Sequence, residues 1–182
     1  MKATIISFSG RKDGNCANVA KVINNEYPHE EITNYDFSLF SLVPCGRCNI
    51  ECFADNSACP YIKDKTFEIY DFIAKSDLSI FIVPNYCDFP CANFFIFNER
   101  GLCYFNNRQE LLDKYMQAKK KFIVISNTNT ENFINVFSYH SSYEPDILFL
   151  SPKTYGKNSI DGNIMNNIEA KRAVIDFIDN YK

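Results

Sequence analysis

Short apolar runs and longer amphipathic stretches alternate along the chain. Ala3-Thr4-Ile5-Ile6-Ser7-Phe8 is nearly continuous in apolar and β-branched residues, as in a strand buried on both faces. Gly14 to Asn25 follows, with Val19, Val22 and Ile23 at helical spacing. Glu31 to Tyr35 predicts a weaker second strand, Leu78 to Val83 a third that Pro84 ends, Phe122 to Ser126 a fourth and Ile147 to Leu150 a fifth. Helical spacing predicts helices over Thr66 to Lys75, Cys91 to Arg100, Arg108 to Lys119 and Glu131 to Tyr143. A last helix is predicted from Asn163 to Tyr181, with Ile164, Ile168, Val174, Ile175 and Ile178 inward.

Apolar strands separated by helices imply right-handed βαβ crossovers and a parallel sheet, hence an α/β fold. No repeat, low-complexity tract or linker divides the chain, so residues 1–182 read as one domain. In such sheets ligands sit beyond the carboxyl ends of the strands. The loops beginning at Ser9, Pro84 and Ser126 are therefore the first to consider. Residues 36–65 stand apart: they lack clear periodicity and carry Cys45, Cys48, Cys52 and Cys59.

Composition narrows the function. A chain with 46% hydrophobic residues supports a packed core, and a net charge of −3 makes general nucleic-acid or anionic-membrane binding a poor fit. Lys119-Lys120-Lys121 reads as a solvated helix end leading into a strand. No signal-peptide pattern or membrane-length apolar run is seen, so the eight cysteines are expected in a reducing, cytoplasmic setting as thiols, metal ligands or redox groups.

The loop Ser9-Gly10-Arg11-Lys12-Asp13-Gly14-Asn15-Cys16 joins a buried strand to a helix. Free amides, the positive end of a helix dipole and side-chain donors suit such a loop to an anionic phosphate. It is neither a dinucleotide G-x-G-x-x-G nor a P-loop. The plain alternative is a polar loop with a helix cap. In Pro84-Asn85-Tyr86-Cys87-Asp88-Phe89, the aromatics either line a flat ring or cap the core.

Ser9-Gly10-Arg11-Lys12-Asp13-Gly14-Asn15-Cys16 resembles the S-P-R-x-x-G-N-[ST] phosphate loop of flavodoxin-like NAD(P)H-dependent FMN reductases and iron–sulfur flavoproteins. Cys16 stands where a hydroxyl residue is usual. Pro84-Asn85-Tyr86, with Arg100 on the following helix, resembles that family's ring-contacting segment. The resemblance implies a flavodoxin-like three-layer sandwich with a five-stranded parallel sheet in the order 2-1-3-4-5. It implies FMN held by Ser9, Arg11, Gly14, Asn15 and Cys16 at the phosphate, and by Pro84, Asn85, Tyr86, Cys87, Asp88 and Ser126 at the ring. An inward Asp88 would disfavour the anionic hydroquinone. The implied activity is hydride transfer from NAD(P)H through FMN to a small-molecule or protein acceptor, in a homo-oligomer. No catalytic side chain is then required, because the flavin carries the chemistry. An electron carrier that does not oxidise nicotinamide, or a fold that has lost its flavin, are the other readings.

Four cysteines at the spacing of Cys45, Cys48, Cys52 and Cys59 can hold zinc or a [4Fe–4S] cluster, or remain free thiols. Iron–sulfur flavoproteins carry a compact four-cysteine motif at this place. Cys87, Cys91 and Cys103 read as free buried thiols. His29 and His140 have no nucleophile at a suggestive spacing, and Asp36, Asp71 and Asp77 are isolated, so hydrolase chemistry is not indicated.

Overall fold

The computed structural model describes residues 1–28, 30–46 and 48–180, so the expectations for His29 and Tyr181 lie outside the described residues. The strands are β1 (Lys2–Ser7), β2 (Glu31–Asp36), β3 (Leu78–Tyr86), β4 (Phe89–Pro90), β5 (Lys120–Ile125) and β6 (Asp146–Leu150). The helices are α1 (Asn15–Glu26), α2 (Thr66–Lys75), α3 (Ala92–Phe105), α4 (Gln109–Gln117), α5 (Glu131–Phe137) and α6 (Ile168–Asp179).

β3 lies at the centre, parallel to β1 and β5, with Ile80 opposite both Ile5 and Lys121. β2 and β6 complete the order β2-β1-β3-β5-β6, which is the expected order once the short antiparallel β4 is set aside. The two faces of the sheet differ chemically. Ile5, Leu78, Ile80, Ile82 and Ile123 meet Val19 and Ile23 of α1 and Val174 and Ile178 of α6 in an aliphatic core. Ile6, Phe81, Val83 and Phe122 meet Tyr70, Phe94, Phe97, Tyr115 and Phe137 in an aromatic one. Phe8 sits within 5.0 Å of the Phe37 ring and 5.2 Å of the Phe94 ring, centroid to centroid. Burying each such ring contributes about 1.5–3 kcal/mol. Among the described residues, no helix is long and apolar enough to cross a membrane.

Several elements depart from the sequence pattern for local reasons. α3 runs past Arg100 to Phe105 because Gly101 admits Tyr70: a Cβ there would stand 2.8 Å from the Tyr70 hydroxyl. α5 stops at Phe137 and tightens into a 3₁₀ turn through His140, short of Tyr143. The last helix begins only at Ile168, where the Asn167 side chain accepts from the amides of Glu169 and Ala170. That cap turns Ile168 outward to 75% exposure, whereas Ile164 stays buried in a preceding 3₁₀ turn.

The lysine run is not solvated as expected: Lys120 and Lys121 are buried at the start of β5. Lys120 Nζ donates to the carbonyls of Tyr115 and Ala118 at the end of α4 and lies 4.2 Å from the Tyr115 ring centroid. Burial pushes its ammonium down to about 7. Lys121 Nζ donates to Asp146 at 2.6 Å and to the Phe177 carbonyl at 2.7 Å.

His140 is buried against Tyr115, and burial, followed by the charge of Lys120, pushes its imidazolium down to about 3. Its folded value lies below the unfolded 6.5, so between those limits the unfolded chain binds the extra proton. Native stability should therefore fall as pH drops from about 6.5 towards 3, by at most about 1.4 kcal/mol per pH unit from this group. Urea titrations across that window should show a shallower slope for His140→Phe than for the parent; equal slopes would refute the assignment.

Candidate functional site

The site forms where β1 and β3 end. The Phe8 amide donates to the Ile82 carbonyl at 3.0 Å, which carries the sheet pairing one residue beyond β1. The chain then leaves through buried Ser9, whose Oγ accepts from the Arg11 amide at 3.2 Å. The Gly14 amide donates to the Arg11 carbonyl at 3.2 Å, closing the turn, and α1 begins. No side chain caps α1 and no acid stands in its first turn. The amides of Asn15, Cys16 and Ala17 thus keep the positive end of the helix open.

A cavity of about 340 Å³ lies at this end. Ser9, Arg11, Asn15, Cys16, Pro84, Asn85 and Tyr86 line it, all anticipated, together with Ile125, Ser159 and Ile160, which were not. Cys16 is buried, and burial drives its thiol well above the ordinary range, so a neutral S–H faces the site. Gly14 contributes as the residue before α1 rather than as a wall.

Asn85, on the far wall, is the last member of a hydrogen-bonded chain that runs behind the cavity. Cys87 and Asp88 both take left-handed backbone angles, φ 54° and 66°, which fold β3 back into β4. The Asp88 carboxylate accepts from the Thr128 hydroxyl and does not line the cavity. Thr128 Oγ1 and Ser126 Oγ then accept from Asn85 Nδ2, at 2.8 and 2.6 Å. Both hydroxyl protons are already committed, to Asp88 and to the Thr128 carbonyl, so the Asn85 amide is held one way round. Its Oδ1 is buried with no hydrogen-bond partner among the described residues. Ser126 therefore holds Asn85 rather than lining the cavity, and Cys87 stands exposed at the hairpin tip rather than buried.

The unanticipated wall comes from the other end of the chain. Arg11 donates from Nη1 to the Ile160 carbonyl at 3.0 Å and from Nη2 to the Ser159 carbonyl at 3.1 Å. Asn15 donates to the Ser159 carbonyl and accepts from the Ile164 amide, both at 3.0 Å. Asn18 reaches the Gly162 carbonyl. Gly162, at φ +70°, lies so close that a Cβ would fall 2.5 Å from the Asp13 carbonyl oxygen. Gly162 was the one mark of this wall in the sequence.

The cysteine run does not assemble as a group of four. Cys52 and Cys59 pack instead with Cys103 of α3, beside Tyr61, Ile62 and Phe67. Burial, then hydrogen bonds with Cys59 and Cys52, hold the Cys103 thiol above its ordinary range. Cys45 is tied to Glu99, its amide donating to Oε1 at 2.9 Å. Among the described residues no group of three or more His, Cys, Asp or Glu is arranged to hold a metal ion, so the [4Fe–4S] expectation has no assembled site. Reciprocal amide contacts explain the docking: Asn56 donates to the carbonyls of Cys103 and Asn106, and Asn106 donates to that of Cys52. Arg100, expected near a ring, is fully buried under this loop, donating to the Tyr61 carbonyl at 3.2 Å and pairing with Asp64 at 3.4 Å.

No family model and no curated protein matches the sequence. Solved structures do match the fold. A putative quinone reductase from Klebsiella pneumoniae superposes with a TM-score of 0.67 at 12% identity, over 99% of this chain and 84% of that one. The chain has the flavodoxin-like fold. An FMN-dependent NADH-azoreductase from Bacillus anthracis, solved with FMN, gives a TM-score of 0.66 at 10% identity with both chains fully covered. The Trp repressor binding protein from Bacillus subtilis gives 0.63 at 12% identity, over 95% of each chain.

In this flavodoxin-like chain the Arg11 bonds make a direct prediction. Arg11→Ala should raise amide deuterium uptake across residues 158–163 by about tenfold, the change expected from losing roughly 1.4 kcal/mol of hydrogen bonding. Uptake in β3 should not change. Equal uptake across 158–163 in parent and variant would show that the segment is held by other contacts.

Proposed function

We propose that the chain is an FMN-dependent oxidoreductase that takes a hydride from NAD(P)H and passes electrons to an acceptor. The observation that carries this reading is the strand-end cavity, where the open first turn of α1 meets the Asn85 relay. The two ends of the cavity fit the two ends of FMN. Ser9 and the amides of Asn15, Cys16 and Ala17 would hold the phosphate. The partnerless Asn85 Oδ1 would accept from the ring's imide N–H, relieving a buried orphan.

FMN when bound supplies two-electron hydride chemistry. The chain's own task is to bind, orient and exclude water. Asp88 keeps Thr128 and Asn85 aligned, and the neutral Cys16 thiol adds no negative charge beside the phosphate. The similarity in fold to an FMN-dependent NADH-azoreductase and a putative quinone reductase supports the same chemistry class. Tyr86, Phe89 and Phe95 are exposed around the hairpin, where a second copy of the chain would complete the site, and the thiols suit a cytoplasmic setting.

Titration of the protein with FMN, followed by quenching of flavin fluorescence, tests the binding, and anaerobic mixing with NADH or NADPH tests the reduction. Bleaching of bound flavin is expected. Protein that binds FMN yet leaves it oxidised in both nicotinamides is a carrier, and protein that binds none refutes the reading. Asn85→Leu should weaken FMN about tenfold, because the ring N–H is left unpaired. An unchanged affinity would remove Asn85 from the site.

A further inference from the structure

The cluster of Cys52, Cys59 and Cys103 shares no residue with the strand-end cavity. Cys52 lies in a 3₁₀ turn at Glu51–Phe53, Cys59 directly follows a second at Asn56–Ala58, and Cys103 stands on α3. All three are free thiols and all three are buried. The Cys103 thiol is in hydrogen-bond contact with both of the others. An S–H is a weak donor and sulfur a weak acceptor, so these contacts stabilise the fold little. What they do supply is a sulfur on a helix beside two sulfurs on a loop that is distant in sequence.

The loop segment has little regular structure of its own. Its two 3₁₀ helices are single turns. Ile50, which is β-branched, leads into the first at φ 60°, a left-handed conformation that costs such a residue strain. Ile50 and Phe53 are exposed, so their apolar surface does not hold the segment down. The Asn56 and Asn106 amides dock it on α3 through three carbonyls. While it is docked, burial keeps the Cys103 thiol above its ordinary range, protonated and unreactive. Lifting the segment returns the thiols to water and to their ordinary acidity.

We propose that these cysteines form a redox modification site, at which a low-molecular-weight disulfide such as oxidised glutathione joins Cys103 to Cys59 or Cys52 and so staples the segment to α3. With the segment lifted, a Cys59 or Cys52 thiolate attacks one sulfur of oxidised glutathione, forming a mixed disulfide and expelling one glutathione thiolate. On docking, the Cys103 thiolate attacks the cysteine sulfur of that mixed disulfide and expels the second. Two cysteine thiols are oxidised, one glutathione disulfide is reduced, and the two cysteine protons end on the two departing thiolates. The third thiol stays reduced.

The test equilibrates the full chain with mixtures of reduced and oxidised glutathione, then alkylates it in denaturant. Trypsin releases residues 48–63 and 101–108 as separate peptides, so the staple appears as a link between them. That link is expected, reversed by dithiothreitol. Amide deuterium uptake over residues 51–62 should slow about tenfold in the linked protein, with β3 unchanged. Cys48→Ser, which removes the other cysteine of the 48–63 peptide, should link as the parent does, and Cys103→Ser should lose both the link and the slowing. Should Cys103→Ser not fold, the link and the uptake in the parent decide. The proposal is overturned if Cys103 stays reduced at every glutathione ratio, if it carries glutathione singly, if Cys52 and Cys59 join each other instead, or if the linked protein exchanges over 51–62 as fast as the reduced one.

Discussion

The whole upper end of the molecule is positioned by the burial of β3. From Leu78 to Val83 every side chain is shut off from water, and hydrogen bonds to β1 and β5 close both edges. A strand held in this way has no freedom to slip, because a shift of one residue would exchange its aliphatic and aromatic faces. The ends of β1, β3 and β5 therefore arrive together, and the loops that follow meet around one cavity. Removing polar backbone into such a core is tolerated because the parallel pairing satisfies it on both sides.

This rigidity underneath permits unusual backbone above. Cys87 and Asp88 occupy left-handed conformations without being glycine, a cost of about 1–3 kcal/mol each in general. The Asp88 side chain and carbonyl are both engaged, by Thr128 and Asn132, which holds the turn against relaxation. The tight turn directs Tyr86 and Asn85 to the cavity and leaves Cys87 at the tip. The turn between β1 and α1 is organised differently. Its arginine and asparagine side chains are committed to the 159–164 segment, so the amides of α1 and Ser9 are what remain for an anion.

Strand positions and their order were legible because buried parallel strands are written as nearly unbroken apolar runs. The first-strand loop was legible because its glycines, asparagine and arginine sit directly between a strand and a helix. What escaped was non-local. Nothing near Asn15 announces that its partner is Ser159, and nothing near Cys52 announces Cys103. The lysine run misled because charge is usually solvated; here the last carbonyls of α4 and the Asp146 carboxylate accept the two ammonium groups. Ile168 misled because helical spacing takes no account of where a cap resets the helix, and Asn167 resets it.

The contact between Gly162 and Asp13 has a consequence for how the protein comes into being. The two residues are far apart in sequence, yet their contact seats the 159–164 segment, whose Ser159 and Ile160 line the outer side of the cavity, against the turn that carries Arg11. During synthesis the sheet from β1 to β5 leaves the ribosome well before that outer wall does. Until the 159–164 segment docks, the cleft has its inner walls but not the outer one that shuts it, so closure depends on contacts between parts of the chain far apart in sequence.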